Sequence, residues 1–168
     1  MTFLRSPFAA DPPPVLRGER VFLRVPELAD YPQWANLRLE SRDFLSPWEP
    51  QWPANDLTRG AFRSRIRQYW RDIDDDAAYP YFIFDGGGKE LYGALTLSNV
   101  RRGVAQTATL GYWIGSNFAR QGYMSAAVSL VLVMAFKHLA LHRVEASCLP
   151  NNLASIALLR RAGFQQEG

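Results

Sequence analysis

The sequence predicts an α/β fold in one domain, with a single sheet that is antiparallel in its first part and locally parallel in its second. Two observations carry this. Apolar residues recur with helical or strand periods in the order strand, two helices, three strands, helix, strand, helix. The last strands are joined through a helix, a parallel crossover, whereas those before them are joined by a glycine-rich turn. The size is consistent: 168 residues fit one domain by the usual ~100 to 200 residues per domain. With 48% hydrophobic, 21% charged and 13% aromatic residues, wholesale disorder is excluded.

Residues 1–14 end in Pro12-Pro13-Pro14 and read as a mobile extended arm, with the domain proper over 15–168. Val21 to Val25 reads as a strand that Pro26 ends. A helix over about 29–41 follows, with Tyr31, Trp34, Leu37 and Leu39 on its apolar side. Residues 44–53 are too rich in proline for a helix, and their aromatics suit a wall. Asn55 is the expected cap of a helix running to about Asp75, because Phe62, Ile66, Tyr69 and Ile73 recur at helical spacing. Its other face carries Arg59, Arg63, Arg67 and Arg71, yet residues 55–76 hold five Arg and five Asp, so a solvated face laced with ion pairs is expected.

Residues 79–84 and 91–100 read as strands joined by Asp85-Gly86-Gly87-Gly88-Lys89. Glu90 follows the lysine where a phosphate loop needs Ser or Thr, so this is a hairpin turn. Residues 107–114 form the next strand, about 124–139 a helix and 143–148 a strand. A last helix begins near Leu153, capped by Asn151 or Asn152, and ends at Gly163.

No apolar stretch approaches the ~20 residues needed to span a bilayer, and residues 1–10 lack the apolar segment of a secretory signal, so a cytoplasmic protein is expected. The single cysteine, Cys148, reads as a buried strand residue. With His138 and His142 it supplies too few ligands for structural zinc, and no metal is expected. Charge is divided unevenly: residues 1–100 carry a net −2 and residues 101–168 a net +5. The second part is therefore suited to an anion, either nucleic acid or a phosphorylated small molecule.

The segment Leu110-Gly111-Tyr112-Trp113-Ile114-Gly115 leads into Phe118-Ala119-Arg120-Gln121-Gly122-Tyr123-Met124-Ser125. A loop with an arginine and a glycine at a helix start is an anion cradle, because the first-turn amides lack partners and the dipole is positive there. An ordinary strand-to-helix turn reads equally well from this loop alone. Asn152 and Ser155, three apart, share a face on the first turn of the last helix.

Taken in order, Pro47 to Pro50 (PWEP), Leu110 to Gly115 (LGYWIG), Arg120 to Met124 (RQGYM), His142 to Ala146 (HRVEA), and Asn152 with Ser155 followed by Ala162-Gly163-Phe164 resemble the GCN5-related N-acetyltransferase (GNAT) superfamily. Within it the chain is similar to the RimJ/RimL-like ribosomal-protein-alanine N-acetyltransferases. The resemblance covers about residues 15–168 and implies a three-layer α/β/α fold with a mixed, splayed central sheet. It implies acetyl-coenzyme A as the acetyl-donor cosubstrate, its pyrophosphate on the amides of Gln121, Gly122, Tyr123, Met124 and Ser125 beside Arg120, and its pantetheine along Tyr112, Trp113 and Ile114. Asn152 would bond the pantetheine arm, Ser155 would protonate the departing thiolate, and a strand N–H would stabilise the oxyanion. Phe44, Trp48, Glu49 and Tyr112 would meet the acceptor.

Ala119 stands where the superfamily loop usually has Arg or Gln, and Leu159 where many members have a tyrosine acid. The family continues past Gly-Phe with two more strands that carry a glutamate base, so the chain is expected to be C-terminally truncated. Within it Glu145 and Glu49 are the candidate bases, each weighed against a structural ion pair. The implied reaction is acetyl transfer to the α-amine of a protein N-terminus, with N-terminal alanine of a ribosomal protein expected. A small amine acceptor (aminoglycoside, polyamine or amino acid) and a non-catalytic acyl-coenzyme A binding module stay open. Direct nucleic-acid binding is disfavoured, since no lysine-rich stripe accompanies the pI of about 9.2. A homodimer through an open sheet edge is left open.

Overall fold

The computed structural model describes residues 13–168. The arm expected over 1–14 falls largely outside the described residues, but Pro13 is buried and the Pro14 carbonyl accepts a hydrogen bond from the Tyr81 hydroxyl at 3.0 Å. Strands β1 (Leu16–Arg17), β2 (Val21–Arg24), β3 (Tyr79–Asp85), β4 (Leu91–Arg101), β5 (Thr107–Ile114) and β6 (Arg143–Ala146) form one six-stranded sheet in chain order. All neighbours are antiparallel except β5 and β6, which are parallel. The exception follows from the connection: Asp85 accepts the N–H groups of Gly87, Lys89 and Glu90 and so closes the β3–β4 hairpin, whereas β5 reaches β6 through a helix.

Helices cover both faces, which is why β3 reads as continuous apolar sequence rather than alternating. On one face α1 (Tyr31–Glu40) and α3 (Arg59–Asp74) bring Trp34, Leu37, Phe62 and Ile66 onto Phe82, Phe84, Leu91 and Ala94. On the other, α4 (Tyr123–Val133) and α5 (Leu153–Arg161) bring Met124, Ala127, Val128, Val131 and Leu159 onto Val21, Leu23, Tyr81, Ile83, Leu95 and Leu110. This is the expected three-layer α/β/α arrangement with a mixed sheet.

Four local expectations are corrected. The cap of α3 is Thr58, whose side chain accepts from the Ala61 amide, because residues 53–58 are spent in turns before the helix starts. A short helix, α2 (Arg42–Leu45), occupies the first residues of the aromatic loop and stops ahead of Pro47. Strand β6 ends at Ala146, which leaves Cys148 on an exposed loop instead of in a buried strand. Among the described residues the only ion pair on α3 is Arg65 with Asp56. The other acids crowd at the helix end, where Gln68 takes Asp72 and Arg102 takes Asp76.

One departure from regularity shapes the molecule. Pairing of β5 with β6 runs from Thr107↔Arg143 to Leu110↔Ala146 and stops, while β5 continues to Ile114 along β4. Residues 111–114 thus border an opening between β5 and the loop that follows β6. Gly93 permits this stretch of β5 to press against β4: a Cβ there would stand 2.3 Å from the Trp113 carbonyl oxygen.

Candidate active site

The opening is bridged on its α4/α5 side by a polar contact. Tyr112 reaches from β5 to α5, where its hydroxyl shares a 2.5 Å hydrogen bond with Ser155. Burial pushes the Tyr112 phenol above its ordinary pKa, although the bond to Ser155 pulls the other way, so it stays protonated at neutral pH. Ser155 is held in turn by the start of its helix, since Asn152 caps α5 by accepting the Ser155 amide at 3.1 Å. That bond uses the Asn152 carbonyl oxygen; among the described residues its NH2 group has no recorded partner. Ser155, Tyr112 and Asn152 therefore stand together at the mouth. Leu159, at the position where a tyrosine acid was missed in the sequence, is buried in the core. The phenol comes instead from β5, a contact that no local period announces.

At the far end of β5 the chain turns through Gly115 and a 3-10 turn (Ser116–Phe118) into α4. Gly122 precedes the helix with φ +84° and no side chain caps it, leaving the amides of Tyr123, Met124 and Ser125 at an uncapped positive helix end. Met124 points its side chain into the core, so only its backbone faces outward here. Arg120 is held at φ +60°, a region costly for a residue with a Cβ. The loop is fastened at both ends. Ser41, wholly buried, accepts the Ser116 amide at 2.9 Å, and the Tyr92 ring stacks on Phe118 at 4.3 Å and meets Tyr123 at 4.5 Å. Gln121 folds back onto the Asn117 carbonyl. Free amides, a left-handed glycine and an arginine in a rigid loop fit a pyrophosphate.

On the opposite face of the sheet lies an aromatic site built around a buried ion pair. Arg38 of α1 grips Glu49 in two bonds of 2.8 Å, and the Trp52 indole N–H gives Glu49 a third at 2.7 Å. The Arg38 guanidinium lies 4.1 Å from the Trp52 ring centroid and 4.8 Å from that of Trp113. Phe44 and Trp48 stand exposed beside this cluster's loop. Trp113 thus belongs to both sides: its backbone lines the opening and its ring packs on the α1/α3 face beside Arg38.

The two candidate bases fare alike. Glu49 is committed to three donors and fixes the loop. Glu145 sits on β6 level with Thr109, four strand positions from Trp113 or about 13 Å, and pairs with Arg143 at 2.7 Å on an exposed edge. The structure does not bring Glu145 to the mouth. Among the described residues no group of His, Cys, Asp and Glu could hold a metal ion, and no helix is long and apolar enough to cross a membrane.

Comparison with known proteins gives a consistent picture. Residues 20–165 match the family model described as an acetyltransferase (GNAT) domain. The chain is 34% identical over 154 residues to a probable N-acetyltransferase, YjcK, of Bacillus subtilis, covering 92% of this chain and 85% of that protein. It is 30% identical to the [ribosomal protein uS5]-alanine N-acetyltransferase of Escherichia coli, covering 91% and 79% respectively. Among solved structures, Mycobacterium smegmatis RimJ in complex with CoA-disulfide superposes with a TM-score of 0.85 at 30% identity, covering 92% of this chain and 76% of that one.

Proposed function

The chain belongs to the GNAT acetyltransferase family and is an acetyl-coenzyme A-dependent N-acetyltransferase, and from that premise we propose that its acceptor is the α-amine of a protein N-terminus, in first place an N-terminal alanine of a ribosomal protein. Support for the class of acceptor comes from the E. coli relative, which acts on an alanine of ribosomal protein uS5 by its name. The observation that carries the reading is chemical: Glu49 is engaged by three donors and Glu145 is paired and remote. A site whose visible carboxylates are engaged suits an amine that needs little help. An α-amine with pKa ~8 is roughly 10% neutral at pH 7, whereas a lysine near 10.4 is neutral at roughly the 0.04% level, a difference of about 1.4 against 4.6 kcal/mol.

Acetyl-coenzyme A supplies the thioester; the roles of the chain's residues follow from their positions. Amides 121–125 and Arg120 would hold the pyrophosphate, and the free backbone of Tyr112 to Ile114 would pair with the pantetheine as an added strand. An N–H of that strand would receive the developing oxyanion. The neutral amine attacks directly from the side of Phe44, Trp48 and Trp113. Ser155, backed by the protonated Tyr112, would give the departing sulfur its proton and regain one, through water, from the ammonium that attack creates, and Asn152 would steady the arm through its free NH2 group.

The test is a competition between peptides of equal sequence, one with a free N-terminal alanine and one N-terminally blocked with an internal lysine, followed by mass spectrometry. Acetylation of the α-amine at a kcat/KM at least tenfold higher is expected. Preference for the lysine would overturn the reading.

A further inference from the structure

Arg20 lies in the turn between β1 and β2, far in sequence from the segment 115–125, yet its guanidinium is laid over the start of α4. Its central carbon stands 4.6 Å over the Tyr123 ring. Its Nη1 is so close to Gly122 that a Cβ on that residue would stand 2.9 Å from it. The left-handed φ of +84° is what requires glycine at 122; the end of Arg20 lies close by but is flexible enough to move aside. Among the described residues no carboxylate lies within ion-pair distance of Arg20.

Stacking on an aromatic face occupies the plane of a guanidinium and leaves the N–H groups at its edge able to donate. Tyr123 is itself packed against Tyr92, so the platform under Arg20 is fixed. The result is an oriented cation beside uncapped helix amides, where two sources of positive potential act on the same small volume.

We propose that Arg20 is a phosphate-binding residue of the donor site, its guanidinium donating to the pyrophosphate of acetyl-coenzyme A alongside the α4 amides. This rests on the reading that amides 121–125 hold that pyrophosphate. The pyrophosphate, rather than the ribose 3′-phosphate, is the partner because Arg20 lies against Gly122 and Tyr123, inside the 121–125 cradle. An arginine suits the task better than a lysine, since its planar fork can meet two oxygens while stacked.

Calorimetric titration of the wild type, Arg20→Gln and Arg20→Lys with coenzyme A, 3′-dephospho-coenzyme A and pantetheine tests this. Wild-type preference for coenzyme A over pantetheine establishes the cradle itself; without that preference both readings fall together. Given it, Arg20→Gln is expected to weaken coenzyme A and dephospho-coenzyme A alike, by about tenfold, as befits the loss of one charge-assisted bond, while Arg20→Lys retains part of the affinity. Unchanged binding by Arg20→Gln overturns the proposal. So does a loss confined to coenzyme A, which would assign Arg20 to the 3′-phosphate, and so does a lysine variant as weak as the glutamine one, which would mark a packing role.

Discussion

Ser155 and Tyr112 meet across 43 positions of sequence, and the value of the pair can be measured. Ser155→Ala should lower kcat by about 100-fold if the hydroxyl is the general acid, with donor affinity within a few-fold of wild type. Tyr112→Phe, which removes only the supporting phenol, should cost less. An alanine variant with full kcat in steady-state assays would reject the assignment. Direct attack by the amine further requires that Cys148→Ser keep its turnover and that initial-rate patterns be sequential; a ping-pong pattern lost in that variant would contradict it. Arg120 offers a case where stability and binding move in opposite directions. Held at φ +60°, it should gain about 1 kcal/mol of stability as Arg120→Gly through relief of the left-handed backbone, while coenzyme A binds more weakly for want of the charge; thermal melts and titration read the two separately. Much at this scale was legible. An asparagine cap at 151 or 152 and the glycine start of α4 follow from local spacing, and the bond from the Ser155 amide selects Asn152. The phenol on Ser155, the donors on Glu49 and the guanidinium of Arg20 were not, because each is a contact between elements that only packing brings together.

Helix α3 shows what an element-level reading can and cannot fix. Its apolar positions Phe62, Ile66 and Ile73 are buried as their spacing requires, but both Asn55 and Thr58 are residue types that cap helices, and composition does not choose between them. The hydrogen bond from the Ala61 amide does. Thr58→Ala should therefore cost about 1 kcal/mol in denaturant unfolding, with Asn55→Ala nearly silent; the reverse result would return the helix start to Asn55. Strand β4 carries a sharper expectation. Gly93 faces the Trp113 carbonyl at a distance no Cβ tolerates, so Gly93→Ala should destabilise by about 3 kcal/mol, the upper range of overpacking, and should also impair donor binding because the displaced segment is the one bordering the opening. Strand β6 was read two residues too long since Ser147 and Cys148 continue its alternation. Alternation cannot report where a strand loses its neighbour. The early end of β6 is nonetheless what separates it from β5.

Across the whole molecule, the charge division seen in the sequence finds its physical counterpart. The net +5 of residues 101–168 includes Arg120 beside the start of α4, and the acetyl-coenzyme A that the family uses carries phosphates suited to such a charge. The protein's tolerance of pH follows from groups distributed through the fold. Hydrogen bonding from Arg102 holds Asp76 below the usual carboxylate range, and the backbone amides closing the β3–β4 hairpin, that of Glu90 first, do the same for Asp85. A depressed carboxylate stabilises the fold above its unfolded pKa of about 3.9, and that contribution is lost as pH falls through the lower native value. Tyr79 is pushed up to about 12, chiefly by burial. A raised phenol is neutral in both states below its unfolded pKa of about 10, so stability erodes from there upward to the native value. Urea titrations from pH 2 to 12 should thus give a plateau with an acid limb that Asp76→Asn flattens; an unchanged acid limb in that variant would exclude Asp76 as a contributor. Trp113 has its backbone on the donor side and its indole pressed to Arg38 on the α1/α3 face. It is therefore an optical gauge already installed in the sheet: a donor pairing with that strand is expected to shift an indole stacked on a guanidinium, and a change in intrinsic emission on adding coenzyme A in a stopped-flow cell checks this without label or turnover.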